Sequence, residues 1–358
     1  MKILYLNHVC WEWIFQRPQI LELLIEKDFE CSVVNKHFIF GKTIANNNVM
    51  PKNGKNVWLF PKYQDFKALA YLNSLIYKLY VHAIIKKYDA VWICHPSLYY
   101  SVPKKFSGKI IYDCMDNHAA FKSDEKQRKL LIQKEEELIK RADLVFATSK
   151  KLIDTVPGLN KAILVRNGYL SNVKQLEIKR PIKNKNYKIG YFGTVAEWFD
   201  YKLLLNSAKK FGNIFYHVLG PIANGLKFEP DNNILFEGAI EHNKLGEKVK
   251  EYDALIMPFT INEIILSVDP VKLYEYINFG KCIISVWYPE IERFRPFVYF
   301  YKDETEYMEL INMLSAEGFP PKYSEEERRT FLSENSWEAR YALIKEKLEM
   351  LDNENKKI

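Results

Sequence analysis

The residues best placed to do chemistry lie in SVDPVKLYEYINFG, positions 267–280. Lys272 and Glu275 stand three apart, so a helix puts them on one face. Two readings are open for the pair. It is a solvated salt bridge worth a few tenths of a kcal/mol. Otherwise the ammonium meets a diphosphate while the carboxylate accepts hydrogen bonds from a diol such as a ribose. The ends of the helix are marked: Asp269 can cap the first turn, Pro270 suits the first helical position, and Gly280 can close the C-terminus. Free N–H groups at a helix start bind phosphate. A capping Asp269 would compete for them, with Lys272 offsetting its charge. Gly193-Thr194-Val195 and Gly220-Pro221 follow strand-like runs, which is where a doubly wound sheet holds ligand.

The first half offers a second set of candidates. The loop at 7–19 carries His8, Trp11, Arg17 and Gln19, and CHPS (94–97) carries His95. YDCMDNH (112–118) puts Asp113, Asp116, Asn117 and His118 after a buried strand. Carboxylates and a histidine at a strand end suit general acid/base work or stabilisation of an oxocarbenium ion. For His95 and His118 structural hydrogen bonding is the competing reading, and Asp113 can sit within the strand and only orient the loop. GxGxxG, Walker A, HExxH and GxSxG are absent, so nicotinamide, ATP and metal-hydrolase readings lose their usual support.

These residues need strands and helices to hold them. Apolar runs such as KILYL, CSVVN, NVWLF (56–60), DAVWIC (89–94), KIIYDC (109–114), DLVFATS (143–149) and KAILVRNG (161–168) alternate with helix-like segments at 17–27, 65–88, 125–142 and 150–156. Continuous rather than alternating apolar strands imply a parallel sheet covered on both faces. The pattern restarts after a basic stretch with KIGYFG (188–193), IFYHVLGP (214–221), NILFEGAI (233–240), DALIMPF and KCIISVW (281–287), again interleaved with helices. SWEARYALIKEKLEML (336–351) reads as a terminal helix. The predicted organisation is α/β with two Rossmann-like doubly wound domains facing across a cleft. The first spans 1–172, with the helix of 336–358 packing back on it; a linker covers 173–187; the second spans 188–335.

Composition narrows the partners. The chain has 358 residues, 48% of them hydrophobic and 15% aromatic, and a net charge of +7. That dispersed excess favours phosphate-bearing ligands or an anionic membrane surface and falls short of a nucleic-acid stripe. Five cysteines without a CxxC pair predict buried thiols in a reducing compartment and no zinc site. The start MKILYLNHVCWEW reads as a strand entering a loop, not a signal peptide, and no transmembrane helix is expected. The helix at 65–88 carries Phe66, Tyr71, Leu72, Leu75, Tyr77, Tyr80 and Ile84 among Lys67, Lys78, Lys86 and Lys87. It is either a core helix or a basic-aromatic surface for an anionic membrane.

QRPQ (16–19), YDCMDN (112–117), RNG (166–168), GYFGTVAEWFDYKLL (190–204), YHVLGP (216–221), NILFEGAI (233–240) and SVDPVKLYEYINFGKCIIS (267–285) run in the order of a known family. The chain resembles GT-B glycosyltransferases of the large retaining group 1 class (family 4), nearest to bacterial enzymes of teichuronic acid and capsular polysaccharide biosynthesis. The resemblance implies a nucleotide-sugar donor site at Gly193, Thr194, Gly220, Pro221, Ser267, Asp269, Pro270, Lys272 and Glu275. It implies an acceptor or cleft side at His8, Trp11, Arg17, His95, Asn117 and His118. Transfer would be retaining and metal-independent, with no cofactor beyond the donor, a UDP-sugar being the leading choice. Glu275 matches the glutamate that holds the ribose. The family's other glutamate falls at Ser267, its usual basic residue at Thr194 and its catalytic-loop histidine near Met115. Lys272, or Arg17 from across the cleft, then replaces the missing charge, and Asp116 or Asp113 stands beside the anomeric centre. The expected role is a cytoplasmic, membrane-associated glycosyltransferase acting on a surface-polysaccharide or lipid-linked saccharide. The alternatives are a nucleotide-sugar epimerase of the same fold and a non-catalytic nucleotide-sugar-binding partner.

Overall fold

Apolar runs that leave no face for water become strands buried on both sides; Ala90–Ile93 (AVWI) is buried at every residue. The computed structural model describes residues 1–8, 11, 15–38, 51–60, 67–170, 175–178 and 180–355, the side chains of 67, 242, 243, 354 and 355 excepted. The chain divides into two units, Met1–Arg166 with Trp337–Ile358, and Asn167–Ser336.

In the first unit, β1 (Lys2–Leu6), β2 (Glu30–Phe38), β3 (Gly54–Leu59), β4 (Ala90–Ile93), β5 (Lys109–Cys114), β6 (Leu144–Ala147) and β7 (Ile163–Leu164) form one sheet. Its order is β3-β2-β1-β4-β5-β6-β7 and every pair is parallel. The order reverses between β1 and β4, so ligands are expected where the chain leaves those two strands. Helices α1 (Arg17–Ile25), α2 (Lys67–Ile84), α3 (Glu125–Arg141) and α4 (Lys150–Thr155) connect the strands. On one sheet face Leu4, Leu6, Val34, Val91 and Tyr112 meet Tyr77, Val81 and Ile85 from α2 and the turn after it. On the other, Tyr5, Trp92 and Phe146 stack at 5.6 and 5.5 Å.

The second unit repeats the scheme with β8 (Tyr187–Phe192), β9 (Ile214–Leu219), β10 (Ile234–Gly238), β11 (Ala254–Met257), β12 (Cys282–Val286) and β13 (Tyr299–Tyr301). Their order is β10-β9-β8-β11-β12-β13, again all parallel, with the reversal between β8 and β11. Its helices are α5 (Tyr201–Lys210), α6 (His242–Val249), α7 (Glu263–Leu266), α8 (Val271–Asn278), α9 (Glu304–Glu317) and α10 (Glu325–Glu334). The terminal helix α11 (Trp337–Asn355) belongs to the first unit, where Tyr341 and Lys345 bond Asp28 at 2.8 and 2.6 Å.

The α/β doubly wound class expected from the strand pattern is borne out in both halves. Several boundaries differ. Helix α5 starts at Tyr201, because the Asp200 carboxylate accepts from Leu203 N at 3.0 Å and ends the preceding loop. The unit boundary falls at Arg166/Asn167 rather than 172, and the stretch read as a linker belongs to the second unit where described. Leu176 is buried in that unit's core and its carbonyl accepts from Arg328. β13, α9 and α10 were not anticipated, although Asp303 caps α9 and Ser324 with Glu327 forms a capping box on α10. Cys31, Cys94, Cys114 and Cys282 are free and buried, and Cys10 lies outside the described residues. Ala68–Lys87 is long and apolar enough to cross a membrane by length and composition only.

Glu22 on α1 is fully buried. Burial and then the Glu26 carboxylate push its pKa up to about 8, opposed by the Cys31 thiol. The folded protein holds a proton there that the unfolded chain releases above its own lower pKa. Stability from this group is therefore full at acid pH and is lost as pH rises toward 8. Glu22→Gln should remove that slope and raise stability at neutral pH by roughly 2–3 kcal/mol. Urea unfolding across pH 5–8 (roughly the span between the two pKa values) checks it; parallel curves for both proteins would refute it.

Candidate functional site

The switch point of the second sheet is built from small residues and one lysine. Gly193, just after β8, has φ 134°, and Gly220, just after β9, has φ 146°. Gly193 N donates to Leu219 O at 2.8 Å, and Val195 N donates to Pro221 O at 2.9 Å, so the two turns are tied together. A Cβ on Gly220 would overlap the Gly193 carbonyl. A Cβ on Gly193 would sit 2.7 Å from Lys272 Nζ, so glycine is needed for both conformation and space. Tyr191 donates to the Thr194 carbonyl at 2.8 Å.

Lys272, in the first turn of α8, lies against this floor. Its ammonium stands 5.8 Å from the ring centres of both Tyr191 and Phe259. Burial holds its pKa below the ordinary lysine range, and the Glu275 carboxylate acts the other way. Among the described residues no side chain forms an ion pair or hydrogen bond with the ammonium. The surface salt-bridge reading of the Lys272–Glu275 pair therefore fails. A half-buried cation held by rings alone has much to gain from an anion.

Asp269 does not cap α8. The helix starts at Val271 with Pro270 at the N-cap, and no side chain caps it. The Asp269 carboxylate instead accepts from Asn167 N at 2.7 Å, pairs with Arg293 and reaches Tyr274 Oη at 3.4 Å. Asn167 Nδ2 donates to the Asp269 carbonyl at 2.8 Å. Asp269 is thereby spent on holding Asn167 against the start of α8, within the second unit. Gly280, with φ 63°, closes the helix as expected. Ser267 is buried and its hydroxyl donates to the Glu263 carbonyl at 3.0 Å.

In the first unit two candidates neutralise each other. Arg17 and Asp113 are 3% and 0% exposed. The guanidinium grips the carboxylate through Nε at 2.9 Å and Nη2 at 2.8 Å, and donates to the Val165 carbonyl at 3.0 Å. Trp337 stacks over it at 5.8 Å. Arg17 is thus not available as a phosphate-binding charge, nor Asp113 as a catalytic group, because each satisfies the other in a dry site. Trp11 is also buried.

Asp116 behaves differently. It is half-buried in the turn after β5, and no side chain among the described residues pairs with its carboxylate. Burial raises its pKa to about 7, with Arg17 lowering and Asp113 raising it. Three histidines gather at the ends of β1, β4 and β5. The rings of His95 and His118 lie 4.2 Å apart, His8 and His95 5.2 Å, and His8 and His118 6.1 Å. His95 Nδ1 accepts from Ser97 N at 3.1 Å and caps the turn 96–101. Burial, then the neighbouring imidazoles, lowers the pKa of His95. Burial lowers that of His118 to about 4, opposed by a hydrogen bond with the Cys94 backbone. Both are neutral at physiological pH and suit hydroxyl groups better than phosphate. Among the described residues His118 Nε2 is buried without a partner. Asn117 accepts from Ala120 N at 3.2 Å in the same turn.

No family model matches the chain. The structure resembles HepE of Anabaena, solved in complex with UDP and glucose, with TM-score 0.67 and 13% identity over 98% of this chain and 99% of that one. It also resembles the lipopolysaccharide outer core galactosyltransferase WaaB, with TM-score 0.63 and 14% identity over 96% and 97% of the two chains. The fold is GT-B. A Bacillus subtilis (strain 168) protein assigned to teichuronic acid biosynthesis as the glycosyltransferase TuaH is 23% identical over 269 residues, 69% of this chain and 68% of that one. The resemblance to GT-B glycosyltransferase enzymes read from the sequence is borne out. Sequence reasoning missed four residues of this candidate site. Tyr191 and Phe259 look like ordinary strand residues, and Arg293 and Tyr274 carry no local signal of their bond to Asp269.

Proposed function

We propose that the protein is a glycosyltransferase that takes its sugar from a UDP-sugar and transfers it to a surface-polysaccharide or lipid-linked saccharide in the cytoplasm. The observation that carries this reading is the Lys272 ammonium, held between Tyr191 and Phe259 without a carboxylate partner beside uncapped helix amides. A diphosphate supplies the missing anion, and Glu275, on the same helix, is assigned to the ribose hydroxyls. HepE, of the same fold, was solved with UDP and glucose, and TuaH carries a polysaccharide-biosynthesis name.

In the proposed step the bond from the anomeric carbon to the diphosphate breaks. The acceptor oxygen bonds that carbon on the same face, and its proton passes to the departing phosphate oxygen. Lys272 and the α8 amides compensate the charge left on the diphosphate without a divalent cation. Activity should then be unchanged by a chelator.

Calorimetry with UDP, GDP and dTDP tests the donor. UDP should bind tightest, and failure of all three to bind would remove the reading. Donor consumption that proceeds equally without acceptor would point to an epimerase or hydrolase instead.

On the acceptor side, Asp116 is assigned to orienting the acceptor through a hydroxyl next to the attacking one, accepting its hydrogen bond when ionised. The rate should climb as pH rises through about 7. Asp116→Asn should cost about a hundredfold in kcat and flatten that profile. An unchanged profile in the variant would clear Asp116 of the role.

A further inference from the structure

Helix α2 has two apolar stripes where its fold needs one. Tyr77 and Val81, with Ile85 just beyond the helix, are buried in the core of the first unit. On the opposite side Tyr71 is 73% exposed, Leu79 59%, Leu75 39% and Leu72 38%. Positions 72, 75 and 79 step by three and four, so these leucines form a continuous ridge along the helix. A ridge of leucines facing water calls for something to cover it.

The charges say what kind of cover. From Lys67 to Tyr88 the sequence has four lysines and no Asp or Glu. Lys86 and Lys87 are exposed and Lys78 is half-buried, close to the leucine ridge. A second copy of this chain packed helix to helix would bring like charges together with no carboxylate from either helix to offset them. An anionic bilayer surface meets both needs at once. The leucines enter the acyl boundary, Tyr71 sits at headgroup depth, and the lysines face lipid phosphates. The buried stripe keeps α2 in the core of its unit, so the helix lies along the surface and does not cross it.

We propose that the Tyr71–Leu79 ridge of α2, with Lys78, Lys86 and Lys87, is a docking surface for an anionic membrane. It shares no residue with the donor site, so its failure would leave the transferase reading intact, and the reverse also holds.

Sedimentation with vesicles tests it. The full chain should pellet with phosphatidylglycerol vesicles at low salt and stay in solution with purely phosphatidylcholine vesicles. Leu75→Glu combined with Leu79→Glu should lower binding about tenfold or more, with melting temperature and UDP binding unchanged. Replacing Lys78, Lys86 and Lys87 by Gln should abolish the preference for anionic lipid while leaving the fold intact. The proposal is overturned if the wild-type chain ignores anionic vesicles, or if the double leucine variant pellets as well as wild type. It is also overturned if light scattering shows a dimer that the leucine variant dissociates while neither protein binds vesicles.

Discussion

Lys272→Met should lower UDP affinity by roughly tenfold to a hundredfold, with a further loss in turnover of the sugar donor. Methionine keeps an unbranched side chain between Tyr191 and Phe259, so the loss reports the charge and not the packing. The ammonium sits where burial lowers its pKa, with Glu275 opposing. A bound diphosphate would restore the charged form, so UDP affinity should fall at high pH, beginning below the range of an ordinary lysine. The variant should lose that fall. Calorimetry over a pH series with UDP checks both statements. Equal UDP affinity in wild type and variant would move the diphosphate away from α8.

The largest stability effect is expected in the first unit. Arg17→Ala leaves the Asp113 carboxylate, fully buried, without its guanidinium. Removing one member of such a pair typically costs 3–5 kcal/mol, about the same from either side. Asp113→Ala should therefore be as damaging as Arg17→Ala. The double change Arg17→Met with Asp113→Leu should recover most of the loss, because no buried charge then remains. Urea unfolding of the four proteins measures the cycle. Single variants within about 1 kcal/mol of wild type would contradict a dry, mutually dependent pair.

Much of the fold was legible in the chain. Runs such as AVWI and ALIM are apolar throughout, as strands covered on both faces are. The glycines at 193, 220 and 280 also read correctly, because turn and cap positions ask for a residue that tolerates positive φ. Asp200 and Asp269 show the limit. Both precede a helix by one or two residues, and Asp200 is a cap while Asp269 is not. The difference lies in Arg293 and Asn167, which claim the Asp269 carboxylate.

The sequence by itself determined two parallel α/β units and placed the polar candidates at their strand ends, because strand and helix periodicity is local. Only the tertiary structure decided which charges stay available for chemistry. Arg17 meets Asp113 across 96 positions, and Asn167 meets Asp269 across 102. Lys272 meets two rings and no carboxylate. Whether a charge is neutralised depends on what folds against it, and spacing along the chain carries no record of that.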